Sequence, residues 1–183
     1  MMTKDVKAVL KQLFLIAIGA GVTFSTIAAQ AQSGSTATRI ESSGNTSSVK
    51  VIQFEEPEEF INIRRLLSNG SVDEALELAK SYVENVEKNT RDLPSRYFAY
   101  NALCVAYTHA RESAKAEEEC TRAVELIPSH WSAWNNRGTA RYLAGNMAGA
   151  KQDYEKALDQ AGNKKDVKEL LEHNISLVDQ QNQ

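Results

Sequence analysis

The sequence has 183 residues, of which 42% are hydrophobic and 25% are charged. This length accommodates one globular domain but not two of full size, and a content of 3 prolines and 9 glycines excludes a collagen-like or wholly disordered chain. The formal net charge of -3 is small and mixed in sign. The sequence therefore offers no basic field for nucleic acid, and we expect no nucleic-acid partner.

Residues 1–31 have the pattern of a secretory signal peptide. Three lysines make the start basic, and residues 13–29 then carry no charge. Ala29 and Ala31 supply the small residues behind which signal peptidase cleaves. We predict an exported, periplasmic protein that meets the membrane only through this peptide, before cleavage. The alternative is an uncleaved membrane anchor, because the uncharged stretch is close to the shortest that spans a bilayer.

Residues 32–55 are predicted to form a flexible tether. The first part, residues 32–48, is rich in Ser, Thr and Gly and has few apolar side chains. Such a segment cannot bury enough surface to offset the entropy lost on ordering. Residues 49–54, with the sequence VKVIQF, alternate weakly in polarity, which is compatible with an extended segment lying against the domain.

The remainder of the chain contains an internal repeat. When the sequence is shifted by 34 positions, residues coincide without a gap. The matching pairs are Ala99/Ala133, Tyr100/Trp134, Asn101/Asn135, Ala106/Ala140, Ala110/Ala144, Ala116/Ala150 and Ala123/Ala157. Apolar residues within each copy recur at helical spacing, and the alanines allow two helices to approach closely. The pattern predicts antiparallel helical hairpins.

This period and residue pattern resemble the tetratricopeptide repeat. The motif residues are Tyr100, Leu103, Tyr107, Ala116, Ala123 and Pro128 in one copy, and Trp134, Gly138, Ala150, Tyr154 and Ala157 in the next. The resemblance implies an all-α fold, a solenoid of antiparallel helical hairpins with a C-terminal capping helix. It also implies a non-catalytic module that binds another protein or a peptide.

The predicted repeat domain covers residues 56–180. It comprises a degenerate repeat (56–89), two clearer repeats (97–130 and 131–164) and a capping helix (165–180). Aligning Gly70 with Arg111 places the first copy 41 positions upstream, seven more than the period. We assign this surplus to a connection over residues 90–96, interrupted by Pro94. A terminal helix is expected because an end repeat otherwise exposes its apolar face.

The sequence contains no pattern that supports catalysis. His109, His130 and His173 share no ligand spacing with one another or with the cysteines, so no metal site is predicted. The chain has no glycine-rich phosphate loop, nucleophile elbow or zinc-protease motif. The glutamates at positions 117–119 lie near Lys115 and Arg122, as expected for a solvated helix face. We therefore predict no enzyme activity and no cofactor.

Two residue pairs, each 16 positions apart, face one another across predicted hairpin turns. Cys104 and Cys120 occupy slots that pack together in the repeat, so an oxidising compartment favours a disulfide. The alternative is two buried thiols that act as small apolar groups. Arg137 and Asp153 resemble a repeat variant in which the arginine and aspartate form a structural ion pair.

The resemblance implies that the first helix of each hairpin lines a concave groove. Ten candidate groove residues follow from the repeat register: Phe98, Asn101, Val105, Thr108, His109, Ser132, Asn135, Thr139, Tyr142 and Leu143. The two asparagines either hydrogen-bond the backbone of a bound peptide or bridge neighbouring helices. None of the ten is lysine or arginine, so a clamp for a C-terminal carboxylate is not expected.

We predict a periplasmic adaptor or scaffold in a cell-envelope complex. The alternative is a structural homo-oligomer assembled through its repeat surfaces.

Overall fold

In a computed structural model of the chain, residues 55–181 are described. The predicted signal peptide and the tether up to residue 54 lie outside this range. All regular elements within residues 55–181 are α-helices. In chain order they are α1 (Glu58–Ser68), α2 (Val72–Asn89), α3 (Leu93–His109), α4 (Ser113–Leu126), α5 (Trp131–Leu143), α6 (Met147–Gln160) and α7 (Lys165–Gln181).

The helices form three consecutive hairpins followed by one further helix. Each helix packs against the next in the chain, and α3 also packs against both α1 and α5. The first helices of the three hairpins therefore lie side by side, with the second helices behind them. The all-helical solenoid predicted from the repeat is confirmed.

Buried alanines bring the helices close together. Alanines on all three hairpins are almost completely inaccessible to solvent; they are Ala75, Ala79, Ala99, Ala102, Ala106, Ala116, Ala123, Ala133, Ala140, Ala150 and Ala157. At these positions a larger side chain would separate the backbones, and the interior is too densely packed to absorb it. The alanine period in the sequence therefore sets the helix spacing of the solenoid.

The three hairpin turns share one backbone geometry. At equivalent repeat positions Gly70, Arg111 and Gly145 have φ of 83°, 65° and 84°. In each turn the next N–H donates to a carbonyl five residues earlier, which satisfies an otherwise free acceptor at the helix end; the pairs are Ser71 to Leu66, Glu112 to Tyr107, and Asn146 to Arg141. Arg111 thus adopts a left-handed conformation that glycine adopts at lower cost.

The prediction of a long connection over residues 90–96 is wrong. Pro94 lies in the first turn of α3, where its missing N–H costs nothing, and the Asp92 side chain caps this helix by accepting from the Ser95 N–H at 2.9 Å. The seven surplus residues lengthen the helices instead. Helices α2 and α3 have 18 and 17 residues, whereas α4 and α5 have 14 and 13.

Helix α7 covers the apolar face of the last hairpin. It buries Val167, Leu170, Leu171 and Val178, and it packs against α6. An ion pair between Lys151 of α6 and Asp179 of α7, at 2.6 Å, lies at the edge of this contact. The end of the stack is therefore closed by a helix with a polar outer side.

Candidate functional site

The first helices of the hairpins form a continuous face, which we call the groove. Because the hairpin turns align, Arg64 of α1, Val105 of α3 and Thr139 of α5 occupy one repeat position. These three side chains are partly accessible. They lie on helices that contact one another, so the groove runs across α1, α3 and α5.

Four of the predicted groove residues are buried instead of exposed. Phe98, Asn101, Thr108 and Asn135 retain 3%, 1%, 4% and 4% of their accessible surface. Phe98 packs against Phe60 of the preceding repeat, with ring centroids 5.5 Å apart. These four side chains therefore pack within the domain and present almost no surface to a ligand. The repeat register identifies which face of each first helix lines the groove. The adjacent helix covers the residues that lie deepest on that face.

The buried asparagines bridge neighbouring helices. Asn101 Oδ1 accepts a hydrogen bond from Asn136 Nδ2 at 2.9 Å, which joins α3 to α5. Asn135 Oδ1 accepts from Asn174 Nδ2 at 3.0 Å, which joins α5 to α7. Buried amides require such partners. Of the two interpretations, bridging is therefore the one the structure supports. Thr108 is also satisfied internally, since its hydroxyl donates to the Cys104 carbonyl at 2.8 Å.

The other predicted residues remain accessible in part and give the groove a neutral character. Val105, His109, Thr139 and Tyr142 are half-buried, as are Ser132 and Leu143. Burial, followed by the charge of Arg111, lowers the pKa of His109 to about 4, so its imidazole is neutral at pH 7. Burial also raises the pKa of Tyr142. These side chains offer apolar and aromatic contact without formal charge.

Arg64 introduces a cation into the groove, and this cation is paired within the chain. Its Nη1 lies 3.0 Å from the Glu56 carboxylate, and its guanidinium carbon lies 5.3 Å from the Phe60 ring centroid. Arg64 Nε is buried and has no hydrogen-bond partner among residues 55–181. The groove is therefore neutral overall, but it contains one unsatisfied N–H donor.

The predicted cysteine pair lies away from the groove. The structure joins Cys104 of α3 to Cys120 of α4 in a disulfide, with 5.0 Å between the Cα atoms. Both residues are completely buried. The bond fixes the two helices of one hairpin.

Arg137 and Asp153 also interact away from the groove. Arg137 Nε and Nη2 donate to the two Asp153 carboxylate oxygens at 2.9 and 2.8 Å. Arg141 Nη1 donates to the same carboxylate at 2.9 Å, and its Nε donates to Glu117 of α4 at 2.7 Å. A cleft of about 340 Å³ borders this cluster. The charged side chains of the cluster are already paired with one another, so the arrangement is structural.

The described residues do not assemble a metal centre or a membrane span. Among residues 55–181, no group of three or more His, Cys, Asp or Glu side chains is placed to hold a metal ion. Within the same range, no helix combines the length and apolar character needed to cross a bilayer.

Known proteins resemble parts of this chain. No family model matches it. It is 34% identical over 95 residues to RNA polymerase II-associated protein 3 of Xenopus laevis, a match that covers 49% of this chain and 14% of that protein. A TPR repeat-containing protein of Pseudomonas aeruginosa is 37% identical over 67 residues, covering 35% of this chain and 64% of that protein. The chain thus matches less than two thirds of either relative.

The fold is shared with a solved structure. The first TPR domain of Spaghetti (RPAP3), bound to the HSP90 peptide SRMEEVD, superimposes with a TM-score of 0.53 and 24% identity, over 67% of this chain and 89% of that one. The chain has the tetratricopeptide-repeat fold. Its three repeats are the hairpins α1–α2, α3–α4 and α5–α6, with α7 as the terminal helix.

Sequence reasoning missed three residues of the tetratricopeptide-repeat domain that matter for its groove. Arg64 lies in the first repeat, whose motif is too degenerate for a residue-by-residue alignment, although the 41-position offset places it level with Val105. Asn136 and Asn174 supply the amides that bridge the helices. Neither asparagine pairing has a sequence signal, because Asn136 reaches back to the preceding repeat and Asn174 lies on the terminal helix.

Proposed function

We propose that this chain is a protein-binding module whose groove holds a peptide segment or helix of a partner. The observation that carries the proposal is the neutral, partly accessible face formed by Val105, His109, Thr139 and Tyr142 across two adjacent helices. The Spaghetti TPR domain, which shares the fold, is described as bound to a peptide. Aromatic and apolar side chains on a preformed surface are typical of protein-recognition sites.

The chemistry of the groove indicates an uncharged, apolar ligand. The peptide SRMEEVD held by the Spaghetti domain is acidic, and acidic ligands are recognised by clustered cations. Among the described residues that form the groove, the cationic side chain is Arg64, and it is paired with Glu56. His109 is neutral at pH 7 because burial lowers its pKa to about 4. We therefore propose a ligand that contributes apolar side chains.

We further propose that the protein acts in the periplasm as part of a cell-envelope complex. The signal-peptide pattern of residues 1–31 supports export. The disulfide between Cys104 and Cys120 supports an oxidising compartment, because such bonds are rare where thiols are kept reduced. The proposed role is that of a non-catalytic adaptor or scaffold.

Site-specific photo-crosslinking in the producing cell tests the proposal. A photoreactive phenylalanine analogue replaces Val105 or Tyr142 in the groove, and the matched control replaces Lys80, which is exposed on α2 behind the groove. We expect one partner protein to be joined from both groove positions and not from the control. Mass spectrometry of the adduct identifies the partner and the crosslinked peptide.

Two results would contradict the groove as the binding surface. The first is equal adduct formation from Lys80 and from the groove positions. The second is an adduct made only of two copies of this chain, which would support the structural homo-oligomer. Fractionation of the same cells tests the location, since release of the protein with the cytoplasmic fraction would exclude a periplasmic role.

A further inference from the structure

The first described residues make an ion pair with a groove residue. Pro57 precedes α1 with extended backbone angles, φ of -62° and ψ of 152°. Glu56 nevertheless pairs with Arg64, which lies about two helical turns further along α1. The Glu56 and Arg64 side chains meet at 3.0 Å. Arg64 is a groove residue, so the first described residues lie within side-chain reach of the groove.

One N–H group of Arg64 lacks a hydrogen-bond acceptor. Its Nε is buried and has no hydrogen-bond partner among residues 55–181, whereas its Nη1 is held by Glu56. A buried donor without an acceptor is costly, and more so when the donor is charged. A backbone carbonyl of a chain lying along this side of α1 would satisfy it.

The segment immediately before Glu55 fits this position. Residues 49–54 have the sequence VKVIQF, with four apolar side chains and one charge. Six extended residues reach about 20 Å, which is about two helix-to-helix spacings of 8–10 Å. The segment is therefore long enough to cross from α1 over α3 to α5. Its apolar character matches the accessible Val105 and Tyr142.

We propose that residues 49–54 bind the groove of their own chain, with Arg64 donating to their backbone, and that a partner must displace them. Displacement by a partner rests on the proposed function, whereas binding of residues 49–54 to the groove does not. A segment tethered directly to the groove has an effective concentration in the millimolar range. It therefore weakens the binding of any competing ligand of similar affinity, and partner binding is autoinhibited.

Paramagnetic relaxation enhancement tests whether residues 49–54 occupy the groove. It is measured on the chain as the cell produces it. A spin label is attached at Gln53→Cys, with the buried disulfide left intact, and the methyl signals of Val105, Thr139 and Val83 are recorded. We expect the two groove signals to broaden several-fold and the signal of Val83, on α2 behind the groove, to stay sharp. Adding Ile52→Asp with Phe54→Asp should abolish the broadening, whereas adding Ser47→Asp with Ser48→Asp should preserve it.

Three outcomes would overturn the proposal. Val105 and Thr139 signals that remain sharp, or broaden no more than Val83, would show that the segment does not occupy the groove. Broadening that survives Ile52→Asp with Phe54→Asp would show that its apolar side chains do not hold it. Broadening that arises only between labelled and unlabelled chains in a mixed sample would assign the contact to a second copy.

The two proposals fail independently. If the segment occupies the groove, Ile52→Asp with Phe54→Asp should raise crosslinking of the partner from Tyr142 several-fold, while the double serine variant should leave it unchanged. Occupancy without any partner adduct would contradict the proposed function and leave the intramolecular contact standing. Partner crosslinking with an unoccupied groove would overturn this inference alone.

Discussion

In the hairpin α3–α4, Cys104 and Cys120 occupy the two facing positions that Gly138 and Tyr154 occupy in α5–α6. The disulfide closes α3–α4 covalently. In α5–α6, a Cβ built on Gly138 would lie 2.8 Å from Tyr154 Cε1, so the tyrosine ring fills the space that the missing side chain leaves. The same pair of positions therefore accepts a covalent bond or close packing, provided that the combined volume suits the gap.

The adjacent pair of facing positions differs in charge between the two hairpins. Asp153 of α6 is almost completely buried and accepts hydrogen bonds from Arg137 and Arg141. The equivalent carboxylate of α4 is Glu119, and Leu103 stands where Arg137 stands in the other hairpin. Glu119 Oε2 is consequently buried without a hydrogen-bond partner among the described residues. The repeat framework thus tolerates a carboxylate with one buried oxygen that lacks a hydrogen bond in α3–α4, and it fully hydrogen-bonds the equivalent carboxylate in α5–α6.

The disulfide and the ion-pair cluster also differ in which helices they connect. The disulfide acts within α3–α4, whereas Arg137 donates to Thr121 of α4 at 3.2 Å and Arg141 donates to Glu117 of the same helix. The ion-pair cluster therefore links the second and third repeats. Loss of the disulfide should loosen one hairpin, and loss of the cluster should loosen the contact between two.

The largest effect is expected from reducing the disulfide. Closing a loop of about 15 residues contributes about 3 kcal/mol in the chain-entropy model, so dithiothreitol should lower the free energy of unfolding by about that amount. Urea unfolding measures the loss, and hydrogen exchange should rise first in α3 and α4. The double variant Cys104→Ala with Cys120→Ala is the control and should not respond to the reductant. Confirmed reduction with an unchanged urea midpoint would contradict a stabilising bond.

Much of the fold, but less of the groove, is predictable from the sequence. The 34-residue period determines the helix order because alanine positions set where backbones meet. It also placed Cys104 opposite Cys120, since facing positions within one hairpin are local. The burial of Phe98 and Asn101 was not predictable, because it depends on Phe60 and Asn136 in neighbouring repeats. Contacts between repeats have no periodic signal when the contacting residue types differ.

A smaller loss is expected from Asp153→Asn. The substitution keeps the side-chain shape but removes the charge that faces Arg137 and Arg141. Removing one partner of a buried ion pair costs about 3–5 kcal/mol; we expect about 2 kcal/mol here, because Arg141 keeps Glu117 and both arginines retain some contact with solvent. Urea unfolding measures the change, with the exposed Glu155→Gln on α6 as the control. Equal stability of the two variants would show that the cluster contributes nothing.

Acid should weaken the contact between these hairpins through His130. Its Nδ1 lies 2.7 Å from the Tyr97 hydroxyl oxygen and 3.4 Å from the Ser132 N, so it joins α3 to the start of α5. Burial, followed by the charge of Lys164, lowers the pKa of His130 to about 4 from 6.5. The unfolded chain therefore binds a proton first as the pH falls. The contribution of His130 is complete above pH 6.5 and is lost between pH 6.5 and 4, by about 1 kcal/mol at pH 5.5.

Unfolding at pH 7 and pH 5.5 separates this histidine from the others. His109 has a pKa lowered to about the same value and should contribute a similar loss. His130→Gln should therefore remove about half of the histidine-dependent drop between the two pH values. His173→Gln, on the exposed side of α7, is the matched control. An unchanged pH dependence in His130→Gln would contradict a His130 imidazole that stays neutral in the folded state.

The smallest effect is expected from Glu119→Gln, and its sign is opposite to that of Asp153→Asn. Burial raises the pKa of Glu119, with Arg122 Nε at 3.7 Å only partly compensating. A raised pKa means that the folded state disfavours the carboxylate, so this group becomes less favourable to folding as the pH rises. A neutral amide of the same shape should therefore increase stability at pH 7, by up to about 1 kcal/mol.

Urea unfolding of Glu119→Gln beside Glu118→Gln measures this gain. Glu118 lies next to it, is exposed and pairs with Arg122 at 2.8 Å, so its substitution should change stability little or lower it slightly. The gain from Glu119→Gln should also shrink as the pH is lowered, because the wild-type carboxyl then becomes neutral in both states. A loss of stability, or a gain independent of pH, would mean that Arg122 satisfies Glu119 as fully as Arg137 satisfies Asp153. The two hairpins would then differ in sequence but not in electrostatics.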